Sequence, residues 1–296
     1  MVSNMTVKIM TDSAADLTPE MIKKYDLSTV PTVIRFGDEV YYEGVDITLE
    51  KFYEKFFSSE VYPQTANPTL RHQYELFEKL GNEADEVINV VISSGISGSY
   101  NTALNARRMY EKQVKNPAKI FIYDSKLAAF GIGVIAIMAA ELAKDGLPAE
   151  DIISKLDEYR KKLEVGFTVP DLVYLHRGGR LSKSKYWIAK LADMKPVISF
   201  IDGKMEVIKT VRGYKNAVIE SFNIAYEKTK KPNKFNAYIM HSRNTESANI
   251  LKEYIENTIQ PPECNISIDE VGMTIVTHTG PGCIGICLDS YYKFLK

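Results

Sequence analysis

The sequence predicts a protein of two α/β domains. Three observations support this fold class. The chain has 296 residues, which corresponds to about two domains of ordinary size. Short apolar runs alternate with segments whose apolar residues recur at helical spacing, a pattern typical of sheets covered by helices. The composition, with 45% hydrophobic and 25% charged residues, is that of a globular protein and excludes disordered and collagen-like chains.

The first half, residues 1–165, is predicted to be one domain with a mainly parallel sheet flanked by helices. Thr18-Pro19-Glu20 opens a helix, because it supplies a capping hydroxyl, a proline at the first helical position and an early acid. Residues 87–93 are almost all apolar, as expected of a strand buried on both faces. The alternation predicts strands at 7–11, 29–36, 40–45, 87–93 and 119–123, and further helices at 49–57, 69–80, 101–112, 127–144 and 148–162.

The second half, residues 166–296, is predicted to be a mixed α/β domain. Asp202-Gly203 separates two strand-like runs and is a strong signal for a β-hairpin. The two strands of this hairpin are predicted at 196–201 and 205–211. Further strands are expected at 235–241 and 265–271, with helices at 214–228 and 244–258.

The sequence gives no reason to expect a membrane span or a cofactor. Its first residues lack the basic-then-apolar order of a signal peptide, and the apolar run at 127–140 is too short to cross a bilayer. Cys264, Cys283 and Cys287 lack the spacing and the neighbouring histidines of a zinc site. We therefore expect a cytoplasmic protein without metal or other cofactor, whose cysteines are small buried hydrophobic residues.

Charge is distributed unevenly along a chain whose net charge is −1. Residues 1–165 carry a net charge of −6 and residues 166–296 carry +5, of which the segment 176–215 alone contributes +7. This segment is either a solvated face or a docking surface for an acidic partner. A nucleic-acid-binding surface is a weaker interpretation, because aromatic residues are sparse there and no nucleic-acid motif is present.

Residues 93–99, with the sequence Ser-Ser-Gly-Ile-Ser-Gly-Ser, are the strongest candidate for a ligand site. They connect a buried strand to a helix, so backbone N–H groups and hydroxyls together could bind a phosphate or a carboxylate. The segment lacks the Lys-Ser/Thr of a nucleotide-binding P-loop. A turn that simply caps the helix fits the local pattern equally well.

Other polar side chains suit a ligand, and each has a structural alternative. Thr65 lies in a polar loop where Thr69 could instead cap the next helix. His278 precedes a Gly-Pro-Gly turn, where an imidazole could donate to an anion, act as a base or be purely structural. Asp12 and Asp124 end two strands, where they could bind magnesium; capping of backbone N–H groups is favoured.

An enzyme is the main alternative from the residues alone. Ser97 and His278 could act as nucleophile and base of a serine hydrolase that cleaves acyl esters. However, the sequence shows no convincing third member of a triad, and Ser99 stands where a nucleophile elbow requires glycine.

Taken in order, several segments resemble the DegV family of bacterial fatty-acid-binding proteins. The loop at 65–69 reads Thr-Ala-Asn-Pro-Thr where the family usually has Thr-Ser-Gln-Pro-Ser, so it keeps Thr65 and differs at three positions, Ala66 and Asn67 among them. The matching segments extend over almost the whole chain: 11–13, 65–69, 93–100, 124–125, 177–182, Arg212 and 278–282.

The resemblance implies that a long-chain fatty acid is held between the two domains. Its carboxylate would be bound by Thr65, Ser97, backbone N–H groups around Gly98, and His278.

The resemblance also implies a protein partner. Such a carrier presents its fatty acid to a separate fatty acid kinase, which makes acyl phosphate, and performs no catalysis itself. Arg180 and Arg212 match basic positions associated with docking to that kinase. Neither nucleic acid nor stable membrane insertion is expected.

Overall fold

The computed structural model describes residues 5–181 and 193–291, which divide into two compact units. Unit 1 takes in the chain up to Arg160 together with Gly272–Thr274, and unit 2 takes in Lys161–Val271 and the chain from Ile275 onward. Each unit has its own sheets and its own helices. Unit 1 has a parallel sheet and a smaller antiparallel one, and unit 2 has a mixed sheet, which confirms the predicted fold class.

A parallel sheet of four strands forms the centre of unit 1. Its strand order is β2-β1-β6-β7, and every neighbouring pair is parallel. All six residues of β6 are buried, as the apolar run predicted. The strands are β1 (Val7–Asp12), β2 (Leu27–Val30), β6 (Glu86–Val91) and β7 (Lys119–Asp124).

A second sheet of unit 1 has three antiparallel strands in the order β4-β3-β5. These strands are β3 (Val33–Phe36), β4 (Glu39–Tyr42) and β5 (Gln64–Ala66). A two-residue turn at Gly37-Asp38 joins β3 to β4, and the two strands form an antiparallel hairpin. Two details differ from the prediction. The strand expected at 29–36 is interrupted around Pro31, because proline cannot donate to a sheet ladder, and residues 64–66 form a strand rather than a loop.

Six helices belong to the described part of unit 1: α1 (Pro19–Lys24), α2 (Leu49–Ser58), α3 (Leu70–Gly81), α4 (Ser99–Gln113), α5 (Phe130–Lys144) and α6 (Ala149–Arg160). Thr18, Thr48 and Thr69 cap the first three by accepting a backbone N–H. Residues Phe130 to Ala139 of α5 are all buried, so its apolar sequence reflects a core helix.

Unit 2 is built on a mixed sheet of six strands in the order β10-β9-β8-β13-β11-β12. Only the β11–β12 pair is parallel; the other pairs are antiparallel. The strands are β8 (Leu163–Thr168), β9 (Met194–Ile201), β10 (Lys204–Arg212), β11 (Lys234–His241), β12 (Glu263–Glu270) and β13 (Ile284–Asp289). The boundary placed after Val165 falls inside β8, and β13 has no counterpart in the prediction.

The described helices of unit 2 are α7 (Val173–Arg177), α8 (Tyr214–Lys228), α9 (Thr245–Tyr254) and α10 (Met273–Thr279). The first two residues of α10, Met273 and Thr274, belong to unit 1, and the rest of the helix belongs to unit 2. Val218 and Phe222 of α8 and Leu251 of α9 pack on β11 and β13 to form the core. No helix in residues 5–181 or 193–291 is long and apolar enough to cross a membrane.

Candidate functional site

The turn between β6 and α4 contains the predicted serine-rich segment. The backbone N–H groups of Ile96 and Ser97 both donate to the Ser93 carbonyl at 3.1 Å, which folds the turn tightly. Helix α4 begins directly after Gly98, so its first backbone N–H groups, which have no partner within the helix, lie at this turn. The turn follows the carboxyl end of a central parallel strand, which is where open α/β sheets commonly bind ligands.

Two aspartates, on the strands on either side of β6, accept hydrogen bonds from the backbone at this turn. Asp12, which ends β1, accepts the Ile92 N–H at 3.2 Å, and Asp124, which ends β7, accepts the Ser94 N–H at 3.1 Å. Asp124 also accepts from the Ser94 hydroxyl and pairs with Lys126 at 2.6 Å. Both aspartates thus bind backbone N–H groups, as the favoured interpretation predicted. The described residues contain no group of side chains suited to hold a metal ion.

The two aspartates differ in how easily they ionise. Burial raises the pKa of Asp12 to about 7 although the Ile92 N–H opposes the rise, and the charge of Glu43 adds to it. Burial also acts on Asp124, but hydrogen bonds from Lys126 and Ser94 outweigh it and lower its pKa. Asp124 is therefore a stable anion, whereas Asp12 titrates near neutral pH.

The Ser97 hydroxyl lies at the centre of a short hydrogen-bond chain. The O–H group donates to the Asn67 side-chain carbonyl at 3.1 Å, and its oxygen accepts the Ser99 N–H at 3.2 Å. The Ser99 hydroxyl lies 3.0 Å away. Ser97 therefore accepts the N–H of the first residue of α4, as the helix-cap alternative expected. Its hydroxyl is only partly buried.

Asn67 connects the Thr65 segment to this turn. Thr65 lies in β5, paired with Ile34 of β3, and Asn67 follows two residues later. The Asn67 amide packs closely on Gly98, since a Cβ at position 98 would lie 2.6 Å from Nδ2. Unit 1 thus brings together the predicted segments of Thr65, Ser97 and Gly98, with Asn67 as the direct contact between them.

His278 and Arg180 lie together within unit 2. His278 is near the end of α10, and its imidazole lies so close to Gly178 that a Cβ there would overlap Nδ1. The guanidinium of Arg180 donates to the Gly178 carbonyl, so the imidazole and the guanidinium approach the same glycine. Burial, followed by the charge of Arg180, lowers the pKa of His278 to about 3. His278 is therefore neutral at physiological pH, and a neutral imidazole has one N–H that it can donate.

The turn that follows His278 has glycine at two positions with positive φ. Gly280 and Gly282 both have positive φ, at 73° and 88°, and a Cβ at Gly280 would overlap the ring of Tyr174. The Gly282 N–H donates to the Ser242 carbonyl at 2.7 Å, and its carbonyl accepts from Asn244 at 3.0 Å. Glycine is required at these positions, and the turn fixes the end of α10.

The two predicted docking arginines have different environments. Arg212 ends β10 and is exposed, whereas Arg180 is half-buried, and burial lowers the pKa of its guanidinium. Residues 182–192, which include Ser182 and three of the lysines of the basic segment, lie outside the described residues.

A buried acidic cluster of unit 1 was not predicted. The Glu43 carboxylate accepts from the Ser13 and Thr32 hydroxyls, at 2.8 and 2.6 Å, and from both the hydroxyl and the N–H of Thr274. The neighbouring Asp16 accepts the Gly272 N–H at 2.9 Å, and burial raises its pKa well above the usual range. The sequence carries no periodic signal for these contacts, because Thr274 is more than 200 positions from Glu43.

Comparison with known proteins identifies relatives along nearly the whole chain. Residues 6–290 match a family model described as "Uncharacterised protein, DegV family". Protein DegV of Bacillus subtilis (strain 168) is 31% identical over 285 residues, which cover 96% of this chain and 99% of that protein.

Solved structures give the same result. The structure of DegV from Bacillus subtilis, described as a fatty acid binding protein, superposes with a TM-score of 0.84 at 32% identity. It covers 98% of this chain and 100% of that one. A stearic acid-binding protein from Eubacterium ventriosum superposes with a TM-score of 0.85 at 28% identity, with the same coverage.

Proposed function

The chain belongs to the DegV family, and on that premise we propose that it binds a long-chain fatty acid and presents it to a separate fatty acid kinase. One structural observation supports the proposal most directly. The Ser97 hydroxyl and the start of α4 lie at the carboxyl end of β6, in contact with the Thr65 segment through Asn67. Relatives of the same fold are described as binding fatty acids.

The acyl chain supplies most of the affinity in this proposal. Burying about 15 methylenes at ~0.8 kcal/mol each gives roughly 12 kcal/mol before the costs of ordering and association. Burying the carboxylate cancels much of this gain unless hydrogen-bond donors replace its water. A head-group site with several donors is therefore needed.

We assign the head group to hydrogen-bond donors of side chains and backbone. Ser97 and Thr65 offer hydroxyls, the backbone around Gly98 offers the N–H groups of a helix start, and His278 offers one imidazole N–H. Because His278 is neutral, it binds a carboxylate as a hydrogen-bond donor and not as a counter-ion.

The kinase partner accounts for the basic residues. Arg212 is exposed at the end of β10, where it is accessible to another protein, and Arg180 lies beside His278. Contacts of this kind would steer an acidic kinase surface towards the bound head group. The protein would then act in the cytoplasm without a cofactor and without catalysis of its own.

A serine hydrolase receives less support from the site. The hydrogen bonds described for Ser97 involve Asn67 and Ser99, and neither an amide nor a serine hydroxyl is a general base. A histidine whose pKa is about 3 is also a weak base at neutral pH. Turnover of a chromogenic acyl ester that disappears in Ser97→Ala would support the hydrolase instead.

Equilibrium binding of palmitate to the delipidated full chain tests the proposal. Ser97→Ala removes a hydrogen bond to a charged group, so we expect the dissociation constant to rise about 10- to 100-fold. Ser154→Ala, at an exposed serine of α6, is the matched control and should bind as the unmodified protein does. Equal affinity of Ser97→Ala and Ser154→Ala would remove Ser97 from the site.

A further inference from the structure

We propose that Asn67 is a positioning residue that sets the direction of the Ser97 hydroxyl, and through it the preference of the site for a carboxylate. This inference rests on the proposed function, because it concerns how the same head-group site works. The contact that carries it is the hydrogen bond from the Ser97 hydroxyl to the Asn67 carbonyl at 3.1 Å.

The contacts around Ser97 define a directed chain. A serine hydroxyl has one proton to donate and two lone pairs that accept. When Ser97 donates to Asn67, its lone pairs accept from the Ser99 N–H at 3.2 Å and from the Ser99 hydroxyl at 3.0 Å. The order of donation is then Ser99 to Ser97 to Asn67.

Asn67 is needed because the Ser97–Ser99 contact can run in either direction. Without the amide carbonyl, the Ser97 proton can turn to the Ser99 oxygen. Ser97 would then present a lone pair to an incoming carboxylate, and this lone pair would repel the carboxylate oxygens. With Asn67 in place the proton points away from Ser99. An ionised carboxylate is a stronger acceptor than an amide, so it can replace Asn67 as the acceptor of the Ser97 hydrogen bond.

The backbone holds Asn67 in this position on both sides. Pro68 follows it and restricts its conformation to the extended region, and Thr65 is fixed in β5 by pairing with Ile34. The amide nitrogen packs against Gly98, since a Cβ at position 98 would lie 2.6 Å from it. The orientation of the side chain is thus set before a ligand binds.

Two ligands with acyl or alkyl chains of equal length and different head groups can reveal this role when their affinities are compared. Palmitate carries an ionised carboxylate that only accepts, whereas the hydroxyl of hexadecan-1-ol both donates and accepts. An alcohol can therefore pair with Ser97 in either orientation. The ratio of the two affinities measures the direction of the hydroxyl, while loss of general loop structure weakens both ligands together.

The test measures displacement of radiolabelled palmitate from the delipidated full chain by each ligand. For Asn67→Ala we expect the dissociation constant of palmitate to rise about tenfold, with that of hexadecan-1-ol unchanged within about twofold. Asn105→Ala, the same substitution at an exposed position of α4, should change neither.

Asn67→Asp keeps the size of the side chain and adds a charge beside the ligand, so it remains informative if Asn67→Ala folds poorly. Its affinity for palmitate should be reduced at neutral pH, because an ionised aspartate, with an ordinary pKa of about 4, repels the ligand carboxylate. Equal weakening of both ligands, or no change in their ratio, would overturn the role of Asn67. Failure of the unmodified chain to bind palmitate would instead overturn the proposed function.

Discussion

The imidazole of His278 lies directly against Gly178, and a Cβ at position 178 would overlap its Nδ1. Gly178 also offers its carbonyl to the Arg180 guanidinium. Residues 177–180, which read Arg-Gly-Gly-Arg, thus form one local structure with the histidine of α10, although the two lie about 100 positions apart in sequence. Glycine at 178 is needed there for space rather than for backbone freedom.

Gly178→Ala is predicted to displace the imidazole and to weaken palmitate binding about tenfold, through loss of one well-placed hydrogen bond. Gly179→Ala is the control. Its Cβ would meet nothing within 4 Å, but its φ of 72° is strained for alanine, so it should lower stability by about 1 kcal/mol and leave binding intact. Binding titrations and urea unfolding of both variants check this, and unchanged binding in Gly178→Ala would contradict it.

Asp12 is predicted to make stability fall as the pH rises. Its pKa is about 7 in the folded protein, against 3.8 ordinarily, so between these values the folded protein binds more protons than the unfolded chain. The free energy of unfolding should therefore contain a contribution that is complete below pH 4 and lost by pH 7. This loss is about 4 kcal/mol at ~1.4 kcal/mol per pH unit.

Urea unfolding at several pH values measures this effect. Asp12→Asn should reduce the decline and leave the part that the raised pKa of Asp16 contributes, and Asp38→Asn, at an exposed position, should preserve the full decline. The same pH dependence in Asp12→Asn as in the unmodified chain would show that burial does not hold the Asp12 proton.

Glu43 is predicted to be important for the stability of unit 1. Glu43→Ala removes the acceptor for the Ser13, Thr32 and Thr274 donors in a buried setting and should cost about 3 kcal/mol. Glu39→Ala, which breaks an exposed pair with Lys55, should cost much less, because solvent screens such a pair. Similar unfolding free energies for the two variants would contradict the role of the buried carboxylate.

Arg212 is predicted to affect the kinase and not the fatty acid. Arg212→Glu reverses an exposed charge at the end of β10, so we expect palmitate affinity to be unchanged and acyl phosphate formation by a fatty acid kinase to slow about tenfold. Lys204→Glu, at the other end of the same strand, is the control. An equal effect of the two variants on the kinase reaction would argue against docking at Arg212.

Much of this architecture could be predicted because strands and helices leave periodic patterns in the sequence. The buried run of β6 and the capped helices α1 and α3 are local features, and local sequence encodes them. β5 was missed because three residues carry too little pattern, and its partner β3 lies about thirty positions earlier.

Prediction of the proposed site residues has the same limit. Ser97 and Gly98 were predicted because their turn has a composition suited to anions. Asn67 appeared only as part of a polar loop, since its contact with Ser97 spans thirty positions. The low pKa of His278 and the Glu43 cluster depend on burial and on distant partners, which no single segment of sequence reveals.

Identification of the lipid that the purified chain carries tests the central claim most directly. The full-length protein is denatured in organic solvent, and the extract is analysed by mass spectrometry against a known amount of protein. We predict up to about one long-chain fatty acid per chain, and a much smaller amount from Ser97→Ala prepared in parallel. An extract without any acyl chain, together with no uptake of added palmitate, would contradict the account.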